Sequence, residues 1–358
     1  MLNSFLKNKK HLTLLIALIL LISCSSSDGG SNNDSGTMPS NLTVTTEISG
    51  ISNDIPNGDG SGIVKFNINA TNATSYKISF GDGNVQDFTS GIIDYTYKTA
   101  GTYSYIVKVT AYNGTNAIST SVTISINVTS VPVWSDEFNT NGAPNSSKWG
   151  FDIGTNNGWG NEEKQNYTNR SDNVKVENGF LKIITNKEDF QGSNYTSARL
   201  LSKGKFSIKY GKIEFRAKLP AGGGTWPALW MLGDNIGTAG WPACGEIDIM
   251  EHVGNQLNKI FGTLHYSGRS GGNADSTTKI ISNATTEFHI YSIDWRATSI
   301  NFYIDGILFK TVSNTSSLPF NQKFFIIINC AIGGNFGGAI DANFVSSTFE
   351  IDYVRVYN

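Results

Sequence analysis

Gly245-Glu246-Ile247-Asp248-Ile249-Met250-Glu251-His252 is the stretch from which the fold of this chain can be read. Acidic and apolar residues alternate from Glu246 to Ile249, and a period of two is typical of a β-strand with one buried face. Strict alternation would place Glu251 on the face opposite to Glu246. A β-bulge that absorbs one residue near Ile249-Met250 would return Glu251 to the face of Glu246 and Asp248. The stretch therefore predicts a bulged strand with three acids on one side of a sheet.

Three carboxyl groups on one strand face are costly for stability, because crowded like charges raise the pKa of at least one of them. Cleavage of a glycosidic bond with retention of configuration uses such groups. One ionised carboxylate attacks the anomeric carbon and one protonated carboxyl protonates the leaving oxygen, at a separation of roughly 5–5.5 Å. The alternative is a solvated acidic face on an exposed sheet, since short acidic alternations occur on many surfaces. The stretch alone leaves both interpretations open.

Short strand-like segments continue on both sides of this stretch. In the N-terminal part they are residues 63–68, 103–109 and 122–126, and in the C-terminal part residues 206–210, 211–219, 300–304, 324–328 and 349–356. Turn residues separate them, and no segment between 42 and 128 has the 3.6-residue period of an amphipathic helix. The pattern predicts an all-β chain in which a small Ig-like β-sandwich precedes a larger β-jelly-roll or similar two-sheet sandwich.

The first 24 residues have the features of a targeting segment. Lys7, Lys9 and Lys10 precede an apolar run over residues 12–22 that is too short to span a bilayer and ends at Leu21-Ile22-Ser23-Cys24. Residues 1–24 resemble a bacterial lipoprotein signal peptide, which implies export, lipidation of Cys24 and a membrane anchor at the outer membrane or cell surface of the bacterial envelope. An ordinary secretion signal is the alternative.

Composition divides the rest of the 358 residues. Residues 25–40 are mostly Ser, Gly, Asn and Asp and are predicted to be a flexible linker. Residues 41–130 and 131–358 are predicted to be two folded domains, with the boundary at Val131-Pro132 because proline commonly interrupts strands at such joints. Past the signal segment only Cys244 and Cys330 remain, and we expect both to be free, buried thiols. The net charge of −2 argues against binding of nucleic acid.

Three motifs of the N-terminal domain carry a resemblance to a known module. Phe80-Gly81-Asp82-Gly83, Tyr95-Thr96-Tyr97 and Ala100-Gly101-Thr102-Tyr103 resemble the polycystic-kidney-disease (PKD) domain of secreted enzymes. The resemblance implies a spacer, with carbohydrate binding as the alternative. All seven tryptophans lie beyond residue 131, at positions 134, 149, 159, 226, 230, 241 and 295. Because sugar-binding platforms are aromatic, this distribution assigns sugar recognition to the C-terminal domain.

The acidic stretch and its neighbours resemble glycoside hydrolase family 16, in the bulged form typical of its laminarinase-like, agarase-like and related branches. The supporting motifs occur in order over residues 132–358: Gly158-Trp159-Gly160-Asn161-Glu162, Tyr195-Thr196-Ser197-Ala198-Arg199, Trp226-Pro227-Ala228-Leu229-Trp230-Met231-Leu232, Gly262-Thr263-Leu264-His265-Tyr266, Ala331-Ile332-Gly333-Gly334-Asn335 and Ile351-Asp352-Tyr353-Val354-Arg355-Val356-Tyr357. The resemblance implies a catalytic, concanavalin A-like jelly roll in which Glu246 is the nucleophile, Glu251 the general acid/base and Asp248 an assisting carboxylate.

The same resemblance implies a substrate cleft. Trp226 and Trp230 are four residues apart in a strand-like segment, so their rings should project from one face. The remaining substrate-binding candidates are Trp159, Asn161, Arg199, Trp241 and His265. For Arg199 the rival role is a carboxylate partner elsewhere on the sheet, and for His265 it is core packing. Trp134, Trp149 and Trp295 are predicted to lie in the core.

The implied activity is endo-hydrolysis of β-1,3-glucan, with mixed β-1,3/1,4-glucan or a galactan as alternative substrates. A glucan-binding lipoprotein without catalysis is the alternative of another class, although all three acids are present. Catalysis would need no cofactor and the chain would act as a monomer. Family members often carry a structural Ca²⁺, and Glu137, the carbonyl of Gly179 and Asp352 occupy the matching positions. Calcium favours such mixed oxygen ligands.

Overall fold

The computed structural model describes residues 37–358, so Cys24, the predicted signal peptide and most of the predicted linker lie outside the described residues. The chain divides into two compact units between Val131 and Pro132. Strands dominate both units, and the predicted all-β fold is confirmed. Within the described range, no helix is long and apolar enough to cross a membrane.

The N-terminal unit consists of seven strands in two antiparallel sheets. The strands are β1 (Ser40–Ile48), β2 (Ile63–Thr71), β3 (Ser75–Ser79), β4 (Val85–Phe88), β5 (Ile92–Thr96), β6 (Gly101–Asn113) and β7 (Asn116–Val128). One sheet has the order β1-β2-β5 and the other β4-β3-β6-β7. Inward residues such as Phe66, Phe80 and Tyr97 fill the core, and the Tyr97 hydroxyl donates to the carbonyl of Phe80 at 2.9 Å. This unit is the predicted small β-sandwich.

The C-terminal unit contains the remaining strands and two short helices. The strands are β8 (Trp134–Asp136), β9 (Gly150–Asp152), β10 (Gln165–Tyr167), β11 (Val174–Glu177), β12 (Phe180–Phe190), β13 (Ser193–Ser197), β14 (Arg199–Leu201), β15 (Gly211–Lys218), β16 (Thr225–Gly233), β17 (Glu246–His252), β18 (Lys259–His265), β19 (Asp275–Ile280), β20 (His289–Trp295), β21 (Ser299–Ile304), β22 (Ile307–Ser313), β23 (Phe324–Ile332) and β24 (Ser346–Tyr357). The helices are α1 (Ile236–Ala239) and α2 (Gly334–Gly337), with 3₁₀ turns at Asn156–Gly158, Gly254–Gln256 and Gly271–Asn273.

These strands form the two sheets of the predicted jelly roll. A ten-stranded sheet has the order β10-β13-β12-β24-β15-β20-β21-β22, with β11 beside β12 and β8 beside β24, and a seven-stranded sheet has the order β19-β18-β17-β16-β23-β14-β9. One hydrophobic core lies between them, to which Phe215 of β15, Ile247 of β17 and Ile326 of β23 all contribute with no exposed surface. Strand β17, which carries the acids, lies near the middle of the seven-stranded sheet and is therefore supported on both sides.

One predicted strand is wrong. Residues 206–210 do not form a strand, and only Ile208 makes an isolated bridge, to Phe324. The physical reason is local: Tyr210 has a φ of 66°, outside the extended region, so the alternation of apolar residues there does not continue as a strand. The other predicted segments of this domain lie within β15, β21, β23 and β24, except that β15 ends one residue early at Lys218.

Two predictions about buried residues are confirmed. Cys244 and Cys330 are free, buried thiols. Trp149 and Trp295 are almost completely buried, and Trp134 packs against the same core. The indoles of residues 159, 226, 230 and 241 do not belong to this core, although that of Trp230 packs against a smaller buried cluster that includes Leu232 and Phe325.

Candidate active site

The predicted β-bulge is present in β17. Against β16, Met250 lies opposite Leu229 but Asp248 lies opposite Trp230, so one extra residue of β17 is accommodated between them. Against β18, the register shifts at the same place, between Asp248 and Glu251. Ile249 and Met250 both turn into the core. The bulge thus returns Glu251 to the cleft face, as the alternation required.

The three acids of β17 are held in a poorly solvated cluster. The side chains of Glu246 and Asp248 are 16% and 4% exposed, and Glu251 is buried. Burial, reinforced by the charge of Asp248, raises the pKa of Glu246 to about 8. Burial and the charge of Glu246 raise the pKa of Glu251 to about 7, and burial raises that of Asp248 well above its ordinary value. Near neutral pH the cluster therefore retains protons that free carboxyl groups would have lost.

These raised pKa values make the domain less stable as the pH rises. A folded state that holds protons more tightly than the unfolded chain loses stability between the unfolded pKa, near 4.5, and the folded pKa, about 8 for Glu246. We expect Glu246→Gln to raise the melting temperature by several degrees at pH 8.5 and by little at pH 4. Thermal unfolding of both proteins at the two pH values, with the exposed Glu287→Gln as control, measures this. An equal shift at both pH values would contradict the assignment of the effect to the buried charge.

Glu246 and Asp248 share a histidine and an indole. Trp241 Nε1 donates to Glu246 Oε2 at 2.8 Å. His265 Nε2 lies 3.2 Å from Asp248 Oδ2 and 3.9 Å from Glu246 Oε1. Because the amide of Gly271 donates to His265 Nδ1 at 3.2 Å, the neutral ring carries its proton on Nε2, facing the acids. The structure thus places His265 in the cleft and not in the core.

Glu251 is held by a different set of donors. Trp226 Nε1 donates to its Oε1 at 3.1 Å, and the Thr263 hydroxyl donates to its Oε2 at 3.2 Å. Glu246 and Glu251 thus have separate hydrogen-bond partners although they share one strand face. Separate partners allow two chemically identical side chains to hold different protonation states.

The predicted aromatic candidates line the same face. Trp226 and Trp230 project together from β16, and Trp241 is half exposed beside Glu246. The Arg199 guanidinium lies between two indoles, 4.8 Å from the ring centroid of Trp230 and 4.8 Å from that of Trp159. Such packing fixes the planar cation by stacking.

Arg199 also has the rival role expected of it. Its Nε lies 3.0 Å from Asp152 Oδ2, so Arg199 is the partner of a carboxylate on the neighbouring strand β9. It also lies between the indoles of Trp159 and Trp230, which we call the indole wall. Asn161 is near the wall but is directed at another residue: its Nδ2 contacts Glu163 Oε1 at 3.4 Å. The carboxylate contact of Arg199 was thus expected and the contact of Asn161 with Glu163 was not, and sugar binding by either residue stays a prediction.

Glu163 is the last acceptor in a series of buried hydrogen bonds that the sequence did not predict. Trp230 Nε1 donates to Asn329 at 2.7 Å, Asn329 Nδ2 donates to the Tyr167 hydroxyl at 2.9 Å, and that hydroxyl donates to Glu163 Oε2 at 3.1 Å. All three hydrogen bonds run in one direction. The series begins at the Trp230 indole, which is a donor only, and ends at the Glu163 carboxylate, whose two oxygens both accept. These hydrogen bonds fix the orientation of the Trp230 indole.

Sequence signals existed for three of the missed residues, Glu163, Tyr167 and Thr263. Glu163 and Tyr167 lie two steps apart in a period-two alternation, Glu163-Lys164-Gln165-Asn166-Tyr167, whose alternate members are all buried. Thr263 alternates with His265 in β18, so a strand there puts both on one face. Asn329 had no such signal, because it stands in a continuously buried strand.

The predicted calcium ligands do not fit a cation through their side chains. Glu137 accepts two hydrogen bonds from Arg355, at 3.0 and 2.8 Å, and Asp352 Oδ2 lies 2.5 Å from Arg216 Nη1. Each carboxylate is therefore already neutralised by a guanidinium, which Ca²⁺ would have to displace. Gly179 occupies the turn between β11 and β12.

Comparison with known proteins agrees with this geometry. The model of "Glycosyl hydrolases family 16" matches residues 161–355, and that of the PKD domain matches residues 59–126. The chain belongs to glycosyl hydrolase family 16. Like other members it is a glycoside hydrolase whose catalysis needs no cofactor, and its N-terminal domain is a PKD domain, as the motifs of both domains predicted.

Several relatives of this family 16 domain have names that describe their activity. The β-glucanase of Rhodothermus marinus is 42% identical over 242 residues, which are 63% of this chain and 84% of that one. The glucan endo-1,3-β-glucosidase of Cryptopygus antarcticus is 37% identical over 247 residues, 62% of this chain and 90% of that one. The crystal structure of the laminarinase from Flavobacterium sp. UMI-01 superposes with a TM-score of 0.60 at 44% identity, covering 64% of this chain and all of that one.

Proposed function

We propose that this chain is an endo-acting, retaining hydrolase of β-1,3-glucan. The observation that carries the proposal is the bulge in β17, which brings Glu246 and Glu251 to one face of the cleft with separate donors. Relatives that are named as a β-glucanase, an endo-1,3-β-glucosidase and a laminarinase support the substrate. The indole wall supports it as well, since the apolar faces of glucose rings stack on aromatic rings.

In the first step Glu246 is the nucleophile and Glu251 the acid. The Glu246 carboxylate attacks the anomeric carbon, the bond from that carbon to the glycosidic oxygen breaks, and the proton of Glu251 passes to the departing oxygen. The raised pKa of Glu251, about 7, keeps that proton available near neutral pH. The products are a glycosyl ester on Glu246 and a shortened glucan with a free hydroxyl.

In the second step the roles of Glu251 reverse. Its carboxylate removes a proton from a water molecule, the water oxygen attacks the anomeric carbon, and the ester bond to Glu246 breaks. Two displacements on opposite faces return the original configuration. An acceptor sugar in place of water would give transglycosylation through the same intermediate.

Asp248 limits the negative charge that accumulates beside the nucleophile. Burial and the charge of Asp248 raise the pKa of Glu246, and burial raises that of Asp248, so these two adjacent acids, which could not both ionise cheaply, retain a proton near neutral pH. Trp241 Nε1 donates to Glu246 on the same side, and His265 Nε2 lies 3.2 Å from Asp248 Oδ2.

The experiment that tests the proposal is release of reducing ends by the protein from residue 25 onward on five polysaccharides: laminarin, barley mixed-linkage glucan, agarose, porphyran and κ-carrageenan. We expect strong release of reducing ends from laminarin, with fragments of several sugars as the early products, and loss of this release in Glu246→Gln. Release from a galactan alone would contradict the β-1,3-glucan assignment, and silence on all five would favour a binding protein. Monomeric elution in gel filtration is expected.

We also propose that the chain is an exported lipoprotein whose lipid-bearing residue is Cys24, with the PKD domain as a spacer between anchor and enzyme. The lysines at 7, 9 and 10 and the apolar run that ends at Cys24 support the anchor. The absence of tryptophan before residue 131 supports the spacer. Cys24→Ser should move the protein from the membrane fraction to the soluble fraction of the producing cells, and an unchanged distribution would contradict the anchor.

A further inference from the structure

The acid/base Glu251 is the near end of a line of hydroxyl groups that extends across two strands. Thr263 of β18 lies opposite Ser276 of β19, and it is buried. The Thr263 hydroxyl oxygen is 3.2 Å from Glu251 Oε2 and 3.0 Å from the Ser276 hydroxyl oxygen. Either hydroxyl of this pair can be the donor to the other. The hydrogen bond between Thr263 and Ser276 can therefore run in either direction.

The two oxygens of Glu251 have partners of different kinds. Trp226 Nε1 can only donate, so Oε1 is an acceptor whatever the charge of the carboxyl group. A threonine hydroxyl can both donate and accept, so the partner of Oε2 can match a bare oxygen and a protonated one. Glu251 can therefore gain or lose a proton at Oε2 and keep its hydrogen bond to Thr263.

We propose that Thr263 and Ser276 form a reversible hydroxyl pair that positions Glu251 in both of its protonation states. This rests on the proposed role of Glu251 as acid and base. When Oε2 carries the proton, the Thr263 hydroxyl points to Ser276. When that proton has left for the glycosidic oxygen, the Thr263 hydroxyl turns and donates to Oε2. The Ser276 hydroxyl then donates to the Thr263 hydroxyl oxygen. Only hydroxyl rotors turn, and no bond within Thr263 or Ser276 forms or breaks.

Thr263 is therefore a positioning residue, which stabilises the negative charge that develops on Glu251 as the proton leaves. A hydrogen bond to a charged group contributes about 1.5–3 kcal/mol, which corresponds to roughly 10- to 100-fold in rate. The pair reverses in the second step, when Glu251 recovers a proton from water. One device thus serves both halves of the reaction.

Other charged groups around Glu251 do not depend on this hydroxyl. On its own strand they are Glu246 and Asp248, with His252 next to it in sequence, and on β18 they are His265 and Lys259. Strand β16 presents Trp226 and has no ionisable side chain. From the other sheet, Lys310 of β22 reaches below β18, where its Nζ donates to the Gly262 carbonyl at 3.0 Å, with Asp275 Oδ1 at 3.3 Å. A shift in the titration of Glu251 on removal of the Thr263 hydroxyl is therefore caused by that hydroxyl.

The test compares Thr263→Val, which keeps the shape without the hydroxyl, with Thr263→Ser, which keeps the hydroxyl. Each is assayed on the polysaccharide that the wild type cleaves and on a dinitrophenyl glycoside of the same sugar, whose leaving group needs no protonation. We expect Thr263→Val to lose roughly 10- to 100-fold in kcat/KM on the polysaccharide and little in the first step on the activated glycoside. The basic limb of its pH profile should move to higher pH, and Thr263→Ser should restore both properties.

The direct readout is the titration of the Glu251 side-chain carboxyl carbon by ¹³C NMR, which needs no substrate and so remains decisive if the proposed substrate is wrong. Thr263→Val should raise the pKa of Glu251, and Ser276→Ala should raise it by less. An unchanged pKa in both variants, or an equal loss on both substrates with an unmoved basic limb, would overturn the proposal in favour of a purely structural role. If Thr263→Val does not fold, as judged by circular dichroism, Ser276→Ala decides by the same criterion.

Discussion

Glu246→Gln is expected to lower kcat on the preferred glucan by about 10⁴-fold or more, because no other group can form the glycosyl ester and nucleophile deletions remove catalysis on this scale. The amide is nearly isosteric with the carboxylate and can still accept from Trp241 Nε1, so substrate binding should change little. The measurement is kcat and KM for the variant beside Glu287→Gln, an exposed glutamate-to-glutamine change. A loss of less than tenfold would show that Glu246 is not the nucleophile.

Azide distinguishes the nucleophile from every other essential group. In Glu246→Ala, azide can occupy the space of the missing carboxylate and attack an activated β-glycoside from that side. The product is an α-glycosyl azide, which is inverted relative to the substrate. If the α-azide were produced by Glu251→Ala instead, the two roles would have to be exchanged. This outcome also separates a role in bond formation from a loss of folding, since an unfolded variant yields no azide product.

Glu251→Ala is expected to lower kcat on the polysaccharide by about 10²- to 10⁴-fold, the usual contribution of a general acid/base. The loss should be much smaller for the first step on a dinitrophenyl glycoside, because that leaving group departs without a proton. The second step still lacks its base, so the glycosyl ester on Glu246 should accumulate and be visible by mass spectrometry of the intact protein.

The same variant has a positive control in its product. Azide needs no base, so it should accelerate breakdown of the ester and attack from the face that water uses, giving a β-glycosyl azide with retained configuration. An absence of ester together with an equal loss on both substrates would contradict the assignment of Glu251. Taken together, the α-azide from Glu246→Ala and the β-azide from Glu251→Ala assign both carboxylates by the stereochemistry of their products.

The buried acids of this site illustrate how activity opposes stability. Desolvation raises the pKa of Glu251 to about 7, which keeps the acid protonated near neutral pH, and it also raises the pKa of Glu246 to about 8, which opposes ionisation of the nucleophile. The same desolvation makes the folded state pay a cost when these groups ionise. The indoles of Trp241 and Trp226, the hydroxyl of Thr263 and the imidazole of His265 lie against these two carboxylates and offset part of that cost.

Local features of the site were available in the sequence because they depend on neighbours along one strand. The alternation around Asp248, the need for a bulge at Ile249-Met250 and the common face of Trp226 and Trp230 follow from the two-residue period of β-structure. Each of these expectations is met in the structure. The failed strand at 206–210 marks the limit of such reasoning, since the backbone of Tyr210 leaves the extended region while the residue pattern does not show it.

What the sequence by itself determined was therefore the all-β class, the position of the domain boundary and the three acids on one strand face. The tertiary structure decided the partners: Asn329 meets Trp230 across 99 residues, Arg355 neutralises Glu137 across 218, and Thr263 reaches Glu251 from the adjacent strand. The physical reason is that periodicity fixes the face to which a side chain points. The register between strands that are distant in sequence fixes what that side chain meets there.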